Sequence, residues 1–185
     1  YSDVNVVEGE LDIEYKNINI NFEDKEGVAA IVNKENEEMS KSPVYDETNE
    51  EANYNHLISA KFAKYEIIHY VDYITLVVNK YSFDYKTIIT TLGSDVYVFD
   101  KTTGKLYNND ELLSKFSVNK DDINEKVKTY LNDKNLVSEE NKIDVEKTIS
   151  NNTKYNLYVD KLGRLVISIL VKAEKSDYND IIVLS

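Results

Sequence analysis

The 185-residue chain carries 34 acidic and 22 basic residues, a formal net charge of −12, no cysteine, and one arginine, Arg164. This excludes disulfides, thiolate metal sites and thiol catalysis, and it disfavours nucleic acid and anionic membranes, since phosphate contact needs a basic stripe. The length suits one composite domain or two small ones over a shared core, burying roughly 70% of the unfolded surface.

From Val4 to Phe22 the pattern is extended: Leu11, Ile13 and Tyr15 alternate with Asp12 and Glu14, and Ile18, Ile20 and Phe22 alternate with Asn19 and Asn21, with a bend at Lys16-Asn17. Val28, Ile31, Val32, Glu35 and Met39 recur at helical spacing, which predicts a helix over 26–40 with one apolar stripe, ended by Pro43. The acidic run 46–51 predicts a loop or a solvated extension.

Between Leu57 and Phe83 the apolar residues are too dense and too β-branched for an exposed helix. Two long antiparallel strands turning near Tyr70 to Asp72 are expected. Ile88, Ile89, Leu92, Val96, Val98 and Phe99 continue the sheet after a break at Asp84-Tyr85-Lys86. Asp100 and Gly104 mark a structural turn, because an aspartate accepts hydrogen bonds from following amides and glycine takes the positive φ that closes the bend.

A short acidic helix over 109–113 follows. A clearer one then has Ile123, Val127, Tyr130 and Leu131 at helical spacing, with Asn119 before Asp122 in the manner of a capping box. A weaker helical pattern covers 136–149. Tyr155, Leu157 and Val159 alternate, 160–163 turns, 165–171 is a strand apolar on both faces, and 181–184 closes the chain as a strand. Strand runs mixed with helices predict an α+β fold, a mainly antiparallel sheet with several packed helices. The expected division is an N-terminal α+β subdomain over 1–92, with strands, one long helix and a hairpin, and a C-terminal α+β subdomain over 93–185 sharing its core.

Catalytic chemistry finds no support. His56 and His69 are thirteen positions apart, which on one strand puts them on opposite faces, so surface or strand-end imidazoles are expected rather than a shared metal. Counted from Asp100, Glu111 occupies the twelfth place, where a calcium loop has its bidentate carboxylate. Thr102 and Gly104 supply no acidic ligands at the third and fifth places, and Lys101 and Lys105 bring positive charge, so a structural turn is the better reading. Paired carboxylates at Asp121-Asp122 and Glu139-Glu140 lie in helix-start and solvated contexts. No Gly-x-Ser-x-Gly elbow or phosphate-cradling glycine loop occurs, so the chain is read as a non-enzyme without cofactor or metal.

Fifteen of the twenty aromatic residues are tyrosines, and tryptophan is absent. Tyr65, Tyr70, Tyr73, Tyr81, Tyr85 and Tyr97 surround one expected sheet and are the candidate ligand-binding residues, since tyrosine joins a large contact area to a polar tip. Cross-strand pairing and core filling are the competing explanation for each of them.

The order of segments resembles a known family. A helix near Val28 to Met39, then Ile58-Ser59-Ala60-Lys61-Phe62-Ala63-Lys64-Tyr65-Glu66-Ile67, Asp72-Tyr73-Ile74-Thr75-Leu76 and Val98-Phe99-Asp100-Lys101-Thr102-Thr103-Gly104-Lys105-Leu106 before an acidic helix, is similar to the RsiV-like extracytoplasmic domain of anti-sigma factors. Related domains accompany peptidoglycan deacetylases in Gram-positive bacteria. The closing segments around Tyr155 to Val159, Gly163 to Ile167 and Ile181 to Val183 fit the same pattern.

The resemblance implies a membrane-anchored sensor domain at the extracellular face of the cell membrane or cell wall. Binding of a protein ligand such as lysozyme would trigger regulated proteolysis and signal transduction to a sigma factor held by a cytoplasmic segment upstream of Tyr1, beyond the anchor. One departure is that Tyr85-Lys86-Thr87-Ile88-Ile89-Thr90-Thr91 stands where family members often carry a Gly-Gly-Ala-His-like segment. The alternative expectation is a secreted or cell-wall-associated binding module of another ligand. A metal-dependent hydrolase of wall glycans would need a further domain.

Overall fold

The computed structural model describes residues 11–14, 17–20, 27–46, 56–86, 88–137 and 140–185. The expected strand residues 4–10, the bend residue Lys16 and the polar run 47–51 lie outside them. Strands β1 (Leu11–Glu14) and β2 (Asn17–Ile20) pair antiparallel, as their alternation requires.

Helix α1 (Val28–Ser40) begins after Gly27, whose φ is +66°, and stops before Pro43. Val28 and Val32 are buried, whereas Ile31, expected on the same apolar stripe, is 48% exposed. The buried stripe is narrower than predicted, and Glu35, also expected on it, pairs with the Lys80 ammonium at 3.0 Å. Directly after Pro43, the short strand β3 (Val44–Asp46) pairs with the start of β4. Three residues carry too little pattern for a strand signal.

The scaffold is formed by β4 (His56–Tyr70), β5 (Tyr73–Asp84) and β6 (Ile88–Asp100), antiparallel in the order β3-β4-β5-β6. The β4–β5 turn falls at Val71-Asp72, where Val71 takes φ +41°, a left-handed conformation that a branched residue adopts only when the flanking pairing imposes it. On one face Ile74, Leu76, Val78 and Phe99 pack with Val28 and Val32 of α1. On the other, Val77 and Val98 join a core shared with the C-terminal half, and the buried Thr75 hydroxyl donates to the Val159 carbonyl at 3.2 Å.

That second layer is the antiparallel sheet β7 (Asn156–Val159), β8 (Leu165–Val171) and β9 (Tyr178–Val183), in the order β7-β8-β9. Leu165, Ile167, Ile169 and Val171 of β8 are buried in one cluster with Leu112 and Leu113 of α2 (Asn109–Lys115) and with Ile123, Val127 and Leu131 of α3 (Ile123–Val137). The fold is mixed α+β with antiparallel sheets. Between the sheets lies a polar seam: Ser94 donates to Asn79 Oδ1 at 2.7 Å, Asn179 Nδ2 donates to Ser94 Oγ at 2.9 Å, and Asn156 Nδ2 donates to the Ser94 carbonyl at 2.7 Å.

Strand β6 carries a bulge where Lys80 pairs with Gly93 and Tyr81 with Thr91, leaving Leu92 as the extra residue. Two expectations are corrected. The weak helix over 136–149 resolves into the end of α3, a connection, and α4 (Val145–Asn151), capped by the Asp144 side chain. Helix is broken there by tertiary pairing: Ile143 bridges Ala173, its N–H and C=O are both held by the Asn135 amide, and the Asp144 N–H donates to Lys172. Asn119 caps only a 3₁₀ turn at Lys120–Asp122, while the reciprocal capping box joins Asn108 and Glu111.

The β7–β8 hairpin turns at Asp160, whose carboxylate accepts the Leu162 and Arg164 N–H groups and pairs with the Arg164 guanidinium. Its Gly163 has φ +77° and lies against the Tyr70 ring, where a Cβ would collide. Gly163→Ala is therefore expected to destabilise by about 3 kcal/mol, from a left-handed alanine together with overpacking. In a Tyr70→Ala background the same change should cost only about 1 kcal/mol. Urea denaturation of the four variants measures that coupling.

Candidate functional site

Local length decides what the second sheet can cover. At ~3.3 Å per residue, the fifteen residues of β4 reach about 50 Å, whereas the seven of β8 reach about 23 Å. Coverage extends to the Asn79 and Ser94 row, met by Asn156 and Asn179. Two cross-strand rows lie beyond it on the same face: Phe62, Tyr81 and Thr91, then Ala60, Phe83 and Ile89. Phe62 and Tyr81 stack at 5.2 Å between centroids, with the Lys64 ammonium 5.7 Å from the Tyr81 ring. At the tip Ile89 is 54% exposed and Tyr85 60%, and Lys86 sits 5.4 Å over the Tyr85 ring. This distal end of the arms is the candidate recognition surface.

The six candidate tyrosines separate into three environments. Tyr81 and Tyr85 belong to the distal end. Tyr65 and Tyr97 lie on the opposite face, packed against the α1 cluster, where the Tyr65 hydroxyl donates to Asn36 and burial raises the pKa of both phenols. Tyr70 rests on Gly163, and Tyr73 packs on Tyr107 and Phe116, with ring centroids 5.7 and 6.0 Å away. One surface does not hold them all, because a pleated strand sends Tyr65 and Tyr70, or Tyr73 and Tyr97, to opposite faces. Phe62, Phe83 and Ile89 were absent from the sequence-derived candidates. Their signal was present as the two-residue alternation of Ala60 and Phe62, and of Tyr81 and Phe83, either side of the break at Asp84-Tyr85-Lys86.

Beside α1, Lys80 is held between Glu35 and Asp95. Burial works against its ammonium, and the two carboxylates more than offset this, keeping the pKa above its ordinary value. His69 is at the end of β4, as a strand-end imidazole should be. It departs from the surface expectation, since its Nε2 is buried without a hydrogen-bond partner, an arrangement that costs free energy. The His56 side chain lies outside the described residues.

Asp100 and Gly104 build the opposite end of the sheet. Asp100 Oδ1 accepts the Thr102 and Thr103 N–H groups at 3.0 and 2.8 Å, Oδ2 accepts the Tyr107 hydroxyl at 2.7 Å, and the Gly104 N–H, at φ +68°, returns to the Asp100 carbonyl. The Tyr107 hydroxyl holds the Asp100 carboxyl below its ordinary pKa; burial opposes this, and the Thr103 and Thr102 groups add to the lowering. Glu111 is engaged by the Asn108 N–H and by Lys105. The loop therefore spends its oxygens internally, and among the described residues no three His, Asp or Glu side chains gather as a metal site.

No family model matches the chain, and no curated protein matches it either. Among the described residues, no helix is long and apolar enough to cross a membrane.

A carboxyl with a depressed pKa stabilises the fold fully at neutral pH, and that contribution fades as pH falls through the lowered value. Tyr107→Phe should cost about 1 kcal/mol at pH 7. The deficit relative to wild type should begin to shrink below about pH 4, where the unfolded carboxyl takes up its proton, and should disappear only once pH has passed below the lowered folded value. Denaturation midpoints measured between pH 7 and pH 2 check both the size and the direction.

Proposed function

We propose that this chain is the extracytoplasmic sensing domain of a membrane-anchored anti-sigma factor, binding a basic protein such as lysozyme through the distal end of its arms. The observation that carries the reading is the aromatic and aliphatic tip of the arms, where Tyr85 and Ile89 are exposed beside the half-buried Tyr81 and Phe83. Recognition surfaces favour large side chains that lose little rotamer entropy on binding. A net charge of −12 would steer a basic ligand and weaken the complex as salt rises. Occupancy of the domain would govern access of a protease to the tether, and so release of the sigma factor.

A second reading is a secreted or wall-associated module for another ligand. It is favoured by a specific observation: the departure from the family's Gly-Gly-Ala-His-like segment coincides with the β5–β6 turn, at the centre of the proposed surface. Neither reading assigns a catalytic step or a cofactor.

Calorimetric titration with lysozyme at low and at physiological salt tests the first reading, which expects heat at both and a weaker complex at the higher. Absence of heat at either salt removes lysozyme and leaves the wall-associated module. Tyr85→Ala should weaken the complex roughly tenfold with melting almost unchanged, the behaviour of an exposed anchor residue. Tyr70→Ala should instead lower stability by about 3 kcal/mol.

A further inference from the structure

Strand β9 is the outer strand of the second sheet, and among the described residues nothing pairs with its free side. The Leu184 N–H donates to the Leu165 carbonyl. Antiparallel alternation then turns Ile182 and Asp180 toward β8 and leaves the backbone groups of Asn179, Ile181 and Val183 on the open edge. The Ile181 N–H meets only the neighbouring Asp180 carboxylate, at 2.9 Å.

Edges of this kind are ordinarily blunted by proline, lysine or a bulge. The segment Tyr178-Asn179-Asp180-Ile181-Ile182-Val183 has none of these. Its one charge, Asp180, is tied to Lys134 at 2.5 Å and to the Tyr130 hydroxyl at 3.2 Å. Ile181 and Val183 stay 52% and 45% exposed.

Alongside this edge runs a cleft of about 470 Å³ between α3 and β9. Tyr130, Ile182 and Val183 supply its apolar surface, and Asp122, Glu125 and Asp133 form a stripe at helical spacing along its wall. Lys126, the cation in the cleft, spends its ammonium on the Leu184 carbonyl at 2.9 Å. Asp122, Glu125 and Asp133 take part in no ion pair among the described residues. The cleft is thus net negative beside a row of backbone groups that, among the described residues, no strand pairs with.

We propose that an extended basic polypeptide segment adds to β9 as a fourth strand, with its lysine or arginine side chains lying in the α3 cleft. Main-chain pairing would supply affinity and the alternating side chains selectivity. An acidic partner is excluded by the stripe. A second copy of this chain is excluded on the same ground, since pairing through β9 would bring two such stripes together. This surface is separate from the distal arms and does not rest on the lysozyme reading.

The test uses a synthetic Lys-Val-Lys-Val-Lys-Val peptide, followed by fluorescence anisotropy and by amide shifts in β9, with spermine as a comparator. Expected is saturable peptide binding that falls at least roughly tenfold in the triple variant Asp122→Asn, Glu125→Gln, Asp133→Asn. Val183→Pro should abolish it, because that N–H faces the open edge and proline is tolerated there. Absence of peptide binding at low salt overturns the proposal. So does spermine binding as tightly as the peptide, or peptide binding that survives Val183→Pro in a folded protein. Should that variant fail to fold, unchanged binding in the triple variant overturns it alone. Lysozyme titration is read independently, so failure here leaves the arm reading standing.

Discussion

The structure depends on one strand being dry on both faces. Ile74 to Val78 of β5 are buried in succession, with Ile74, Leu76 and Val78 under α1 and Thr75 and Val77 against the second sheet. Each large apolar side chain removed from water contributes roughly 2 kcal/mol, so these few positions hold the two halves of the chain together. They also clamp the arms at one end only. Because β5 runs on to Asp84, its remaining length continues as paired sheet beyond the clamped end and carries the aromatic tip.

Two hairpin ends are fixed by the same device. Asp100 and Asp160 each accept amides from the residues that follow, each is succeeded by a glycine at positive φ, and each is followed by a base. The Lys101 N–H also donates to the Asp72 carbonyl, joining the β6 exit to the β4–β5 turn. Register along the arms is therefore pinned at this end, and the bulge at Leu92 comes only where the second sheet stops. Between the sheets, Asn79, Ser94, Asn156 and Asn179 form a polar seam that favours a single alignment, since a slip would break its hydrogen bonds, although Asn179 Oδ1 is buried there without a partner.

Charge is spent locally before it acts at a distance. Lys80, Lys134 and Lys172 are each neutralised by partly buried carboxylates, so the cations most able to balance the surface are withdrawn from it. The stripe formed by Asp122 with Glu125 and Asp133 of α3 keeps its negative potential as a result. The distal arms carry lysines as well, at Lys64 and Lys86, but these lie over tyrosine rings. The two surfaces are thus chemically distinct, one aromatic and one acidic.

The sequence by itself determined the elements whose signals are local: the arms with a turn near Tyr70 to Asp72, the break at Asp84-Tyr85-Lys86, α1 before Pro43, and the Asp100 and Asp160 turns, where side chain and backbone interact within a few residues. Periodicity could also say that Leu165 to Val171 is covered on both faces. Tertiary structure alone decided which of six similar tyrosines would be packed and which exposed, because that depends on how far a seven-residue strand reaches along a fifteen-residue one. It likewise decided that Ile143 leaves a helical pattern to bridge Ala173, and that β9 lies at an edge beside α3. Such outcomes rest on contacts between residues distant in the chain, and no local propensity encodes them.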